Sequence, residues 1–356
     1  MFQRAPRKKG HFMRNLIFAG LIILLSIYCI QGQTTQSNTD PDKAKFVTSD
    51  TDNFWRAFDL AAKETALEKK IEIFQRQYLD KGSIGLKDFL RLRIKSAKTL
   101  TETVEKLPRF FASIRPSTLR VKEMEKQMRQ SFRKFKKIYP EAVFPDVFFV
   151  IGVTNIGGTA SENGLLIGAE LYGLTTNTPR DEFPDLYKAF LPEEKDPNQL
   201  RLKVNKLLDV SLKPVENLAP VVAHESCHFN QKYPKLDTLL AKSIQEGACD
   251  LIAKLTAGQT INPPQHVYGN AHEAELWREF QPEMNGASTK NWMYNGLTAI
   301  NRPPDLGYFM RYKISESYYK NARDKRQAIK DILEIKDFSM FFEQSKYTKK
   351  LLEISF

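Results

Sequence analysis

Cysteine, histidine and long apolar runs are all scarce in this chain, and each scarcity excludes something. Three cysteines, Cys29, Cys227 and Cys249, stand among 356 residues. Cys29 lies near the N-terminus, and the other two make no disulfide framework. Stability must then come from an apolar core, and 42% hydrophobic residues in a chain of this length can supply one. The marked apolar run, Leu16 to Ile30, is shorter than the roughly 20 residues a membrane-spanning helix needs. Acidic residues are outnumbered, 42 against 54 Lys and Arg, for a net charge of +12. No basic-aromatic motif accompanies that excess, which argues against a nucleic-acid partner and for a solvated basic surface. There are only five histidines, so two of them at metal-binding spacing carry weight.

The N-terminus reads as an address. Arg4, Arg7, Lys8, Lys9 and Arg14 precede the apolar run, and Gly32 follows it. A basic segment, a short apolar run and a small residue together make a secretory signal over residues 1–32. Left uncleaved, the same segment would tie the chain to a membrane. Tyr28 is too bulky for the small residue expected before a lipidated Cys29. The expected location is therefore periplasmic, cell-envelope or secreted. Residues 33–52 are polar and read as a disordered spacer. Residues 53–356 read as one domain, with a helical part over 53–140, a sheet and motif part over 141–260, and a helical part over 261–356.

Within the first part, Phe54, Trp55, Phe58, Leu67, Ile71 and Tyr78 recur at helical spacing, and a basic amphipathic helix runs over about 118–138. At 147–153 the run Val-Phe-Phe-Val-Ile-Gly-Val is short, β-branched and aromatic, and predicts a buried strand. Gly157 to Ser161 reads as a flexible turn, and 164–171 as a second strand. Gly164 and Gly168 mark either close backbone approach, which at a sheet edge would suit an extended peptide, or a bulge.

The chemistry is concentrated in Val221-Val-Ala-His-Glu-Ser-Cys-His228. On a helix, His224 and His228 lie one turn apart on the same face and can meet one ion. Glu225 is then near enough to take a proton from a metal-activated water. Asn217 is placed to cap this helix, and Pro220 is tolerated in its first turn. Catalytic zinc needs a third protein ligand. A second helix over 237–256, capped by Asp237 and ended by Gly258, carries Glu246 eighteen positions after His228, which a helix–turn–helix returns to the first helix. Glu246 is the expected third ligand. Asp250, one turn on, is placed to hold a ligand histidine by its other ring nitrogen. Gly247 would let the two motif helices approach closely. Cys227 and Cys249 either pair between those helices or pack as small apolar groups. For the oxyanion, His266, Tyr268, His272, Tyr294 and Tyr312 are candidates, with Tyr308 the first choice.

His-Glu-x-x-His followed by Glu246-Gly-Ala-Cys-Asp250 resembles the gluzincin metallopeptidases. Together with Tyr139-Pro-Glu-Ala-Val-Phe-Pro-Asp, Leu166-Ile-Gly-Ala-Glu, His224-Glu-Ser-Cys-His-Phe-Asn-Gln and Pro304-Asp-Leu-Gly-Tyr, the pattern is similar to secreted zinc-dependent proteases of Bacteroidetes related to gliding-motility lipoprotein B. The resemblance covers about residues 50–345. It implies an α+β, zincin-like core at the cell envelope. The related sequences usually have glycine where this chain has Arg311, and the larger side chain bears on how open the pocket is. The expected activity is zinc-dependent hydrolysis of a peptide or protein substrate, with Glu225 as base. The alternative is a non-catalytic envelope protein that uses the same fold for interaction or assembly.

Overall fold

The computed structural model describes residues 38–188, 191, 193–296, 298–299 and 301–348. The stretch expected as a signal or anchor, residues 1–32, lies outside them. No helix among the described residues is long and apolar enough to cross a membrane. The fold is mixed α and β, mostly helical, with one small sheet.

That sheet has four strands: β1 (Phe46–Val47), β2 (Val147–Val150), β3 (Gly158–Ser161) and β4 (Gly164–Gly168), in the order β1-β2-β4-β3. β2 lies parallel to both β1 and β4, and β3 returns antiparallel to β4 with Ser161 opposite Gly164. Every residue of β2 and β4 is buried, as the unbroken apolar runs require when both faces are covered. Two expectations change here. The Gly157–Ser161 stretch is a strand rather than only a turn, and it forms the sheet edge. β4, between β2 and β3, is not an edge and has no free side for an extended peptide. Its glycines mark close backbone approach: a Cβ at Gly164 would run into the Asp146 carbonyl oxygen, and one at Gly168 into that of Ile156.

The polar stretch expected as a disordered spacer is ordered from residue 38. Phe46–Val47 pair with β2, and Asn38 is bonded to Phe144 through both its side chain and its carbonyl. Composition missed this because few apolar side chains are involved; backbone hydrogen bonds to a preformed strand hold the segment.

Helices α1 (Ser49–Ala61), α2 (Leu67–Phe74), α3 (Ile84–Phe89), α4 (Ala97–Lys106), α5 (Pro108–Leu119) and α6 (Glu125–Ile138) make the N-terminal layer. The amphipathic stretch expected as one helix from 118 is divided by a 3₁₀ turn at Val121–Met124, so α6 alone carries the basic face. After the sheet come α7 (Phe183–Tyr187), α8 (Pro197–Ser211), the motif helix α9 (Leu218–His228) and α10 (Leu239–Ala257). The C-terminal part holds α11 (Pro263–Ala271), α12 (Glu273–Glu283), α13 (Gly307–Asn321), α14 (Lys325–Leu333) and α15 (Phe338–Ser345).

Two apolar clusters meet along α10. One surrounds the sheet and takes Cys249 and Ile252 from α10. The other lies against α12, α13 and α15 and takes Leu240, Ile244, Ala248 and Leu251 from the same helix. Glu246 and Asp250 point into the seam between them. α10 therefore packs on α9 at one side and α13 at the other.

Candidate metal centre

α9 is apolar around its circumference, and every residue from Leu218 to Cys227 is buried. Burial of the whole helix brings His224 and Glu225 indoors. Asn217 stands at its cap position but makes no side-chain cap bond, and Pro220 sits in the first turn, where no intrahelical N–H is needed. At the other end, Asn230 donates to the Ser226 and Val143 carbonyls and accepts from the Val143 N–H, which ties the helix to the segment entering β2. α10 is capped by Thr238, whose hydroxyl accepts from Ala241 N–H, rather than by Asp237. Gly258 ends it in the left-handed conformation at φ 92°.

The two helices bring His224, His228 and Glu246 together, with their ligand atoms all within 4.8 Å of one another. His224 Nε2 is 3.2 Å from Glu246 Oε2, and His228 Nε2 is 3.6 Å from the same oxygen. Two ligands each about 2.1 Å from a tetrahedral ion lie about 3.4 Å apart, so these separations suit a small divalent cation. The unused valences agree. Among the described residues, His228 Nε2 and Glu246 Oε1 are buried and have no hydrogen-bond partner, an arrangement that costs stability unless something else is bound there. The His/His/Glu group can thus hold a metal ion, whose identity the donor set alone does not define.

Each histidine is held by its other nitrogen. His224 Nδ1 lies 3.0 Å from Asp250 Oδ1, as the one-turn spacing from Glu246 predicts. His228 Nδ1 lies 2.9 Å from Gln231 Oε1. A carbonyl oxygen can only accept, so Nδ1 carries the proton and Nε2 keeps its lone pair for the cluster. The role of Gln231 was not foreseen, although it follows His228 by only three residues. The sequence signal was a polar side chain one turn past the second histidine.

Charges reinforce this geometry. Burial pulls the His224 imidazole down, but its bonds to Asp250 and Glu246 outweigh burial and push it up to about 10. Burial raises Glu246, yet His228 and His224 beside it hold it well below the usual carboxylate range. Burial raises Asp250 as well, and the bond from His224 together with the charges of His224, Arg311 and His266 more than reverses that. Positive charge is therefore favoured at the point the three side chains share.

Glu225 faces a different neighbour. A Cβ at Gly158 of β3 would stand 2.8 Å from the Glu225 carboxyl carbon, so the edge strand can cross the motif helix here only without a side chain. Burial raises Glu225, and the charges of His224 and His228 moderate the rise. It lines a cleft together with Gly157, Tyr172, Lys213, Asn262 and Tyr308. The metal-ligand side chains do not line this cleft; they lie behind Glu225, and the Glu246 side chain is 1% exposed.

The C-terminal candidates divide. Tyr308 lies on the cleft, and its buried hydroxyl has no partner among the described residues. Tyr312 donates to Glu316 and packs against the His266 ring. Tyr268 and His272 stack on each other. None of these three contacts points at the cluster. Tyr294 is pushed up by burial first and by the charge of Glu246 second. Arg311 was expected to bear on how open the pocket is. It is fully buried, 3.9 Å from Glu246 Oε2, stacked on the Tyr308 ring, and its three guanidinium nitrogens have no hydrogen-bond partner among the described residues. The approach of α13 rests on Gly247, where a Cβ would run into the Arg311 backbone. Gly247 thus faces α13 rather than α9, a correction to the expected helix pair. Gly247→Ala should destabilise the protein by about 1–3 kcal/mol, read as a lower urea midpoint; an unchanged midpoint would mean that α13 yields at no cost.

Cys227 and Cys249 are both free and buried, as small packing groups. Cys249 Sγ sits 3.4 Å from His228 Nδ1, on the side of the ring away from Glu246.

No family model, curated protein or solved structure matches this chain.

Proposed function

We propose that this chain is an exported zinc-dependent peptidase with a zincin-like core, in line with the resemblance of its motifs to the gluzincin and lipoprotein-B-related proteases. The observation that carries the reading is the convergence of His224, His228 and Glu246 beside a buried carboxyl, Glu225, that opens on a cleft. A binding scaffold has no use for that carboxyl.

A zinc ion held by the three side chains would supply Lewis acidity to a water and to the scissile carbonyl. The residues do the rest. Asp250 and Gln231 fix the histidine rings. Glu225, whose carboxyl is raised by burial, takes the proton of the attacking water on its carboxylate. The same carboxyl then gives that proton to the leaving amine. Tyr308, with its hydroxyl uncommitted, donates to the oxygen that gains charge.

A second reading has a specific observation in its favour. Arg311 already places a buried cation near Glu246, and the cluster lies behind Glu225 rather than on the cleft wall. Both suit a non-catalytic envelope protein with the same fold. Metal analysis of the purified protein and cleavage of a diverse peptide library separate the two. The peptidase reading expects about one zinc per chain and discrete cleavage products. Zinc without cleavage would leave only the binding scaffold. No metal after zinc is supplied would remove the metal site from both.

A further inference from the structure

The cleft beyond Glu225 has a chemical polarity. Its lining contains one carboxylate, Glu225, and one ammonium, Lys213. Lys213 is anchored by its backbone, with its N–H donating to the Leu171 carbonyl and its own carbonyl accepting from Leu174 N–H. Its ammonium donates to the Ile261 carbonyl at 2.6 Å and to Asn262 Oδ1 at 3.2 Å. Neither partner is an anion. Asp250, Glu225 and Asp305 act on the ammonium only through space, and enclosure pulls it down to about 8, which leaves it charged at neutral pH. An ammonium has three donors, and two are used. A held, partly enclosed cation with an unused proton, on the wall of a cleft, is a site for an anionic oxygen.

We propose that Lys213 is a specificity-determining residue that selects peptides carrying a carboxylate beside the bond lying at Glu225. That carboxylate is either the C-terminal group of the peptide or an Asp or Glu side chain; the chemistry at Lys213 is the same. The inference rests on the peptidase reading for its ligand class and deepens it by naming which peptides enter.

The test reads binding separately from cleavage. Acetyl-Ala-Ala-Leu-Ala as the free acid, its C-terminal amide, and amides with Glu placed at each position in turn are titrated calorimetrically into the full chain, with and without zinc. Products are followed in the same samples by mass spectrometry. The free acid, or one Glu-containing amide, should bind roughly 10- to 100-fold tighter than the neutral amide, the range for a hydrogen bond to a charged group. Which of the two wins identifies the source of the carboxylate. Lys213→Met should abolish the difference and Lys213→Arg should keep much of it. If Lys213→Met does not fold, the peptide series on the unaltered protein and on Lys213→Arg still decides. Equal binding of acid and amide, no binding of any peptide, or a preference that survives in folded Lys213→Met overturns the proposal and leaves Lys213 as a counter-ion for Asp250 and Asp305. Selective binding without products would overturn the peptidase reading while leaving the carboxylate selection intact.

Discussion

Glu225→Gln, assayed with zinc bound, should lose about 10²–10⁴-fold in kcat/KM on any peptide the wild type cleaves, the range for removal of a general base. The substitution keeps the shape of the side chain and removes only its proton chemistry. It should not harm the fold. Burial already disfavours the Glu225 charge, and a neutral amide in the same place avoids that cost. Zinc content should also stay at the wild-type level, because the ligand atoms belong to His224, His228 and Glu246. The informative measurement is therefore paired: kcat/KM and bound zinc in the same preparation. Equal rates in the two proteins would remove Glu225 from the chemistry. Lost zinc together with lost activity would make Glu225 a structural support of the cluster instead.

Metal loading should change stability by a comparable margin. The buried seam holds Glu225, Glu246, Asp250 and Asp305 against the cations Arg311 and Lys213. A divalent cation offsets the remaining negative charge and satisfies the orphaned His228 Nε2 and Glu246 Oε1. At a free zinc concentration about 1,000-fold above Kd, binding to the native state alone is worth about 4 kcal/mol. In a domain of about 300 residues that corresponds to a rise in Tm of roughly 6 °C. A chelator should reverse the rise, and His228→Ala should abolish it. Asp250→Asn should keep the shift but require about 10–100-fold more zinc, since it weakens only the hold on His224. A wild-type Tm that is the same in zinc and in chelator would argue that Arg311 and a proton on His224 are all the positive charge this seam accepts.

The structure also defines how far local pattern reaches. The pairing of His224 with His228 and the position of Asp250 relative to Glu246 follow from helical periodicity, which is a property of a few consecutive residues. The return of α10 to α9 could be read from one short connection and a Gly258 stop. The buried strands at 147–150 and 164–168 were visible as apolar, β-branched runs between turn residues. Each of these signals is contained within about 30 residues of chain.

What lay beyond reading was decided by packing between distant segments. That β4 is internal and β3 the edge depends on strand order, which period-2 alternation does not encode. β1 has almost no pattern of its own and exists because β2 offers it an unpaired backbone. Gly247 turns to α13 because Arg311 packs there from 64 positions away in sequence (311 − 247). Lys213 reaches the cleft only because Ile261 and Asn262 fold back to hold its ammonium. The sequence by itself determined the donor set of the candidate metal site, since ligand spacing on two helices is local. Tertiary structure decided what surrounds it — an edge strand over Glu225, an arginine behind Glu246 and an ammonium across the cleft — because burial and charge are properties of neighbours that no stretch of sequence contains.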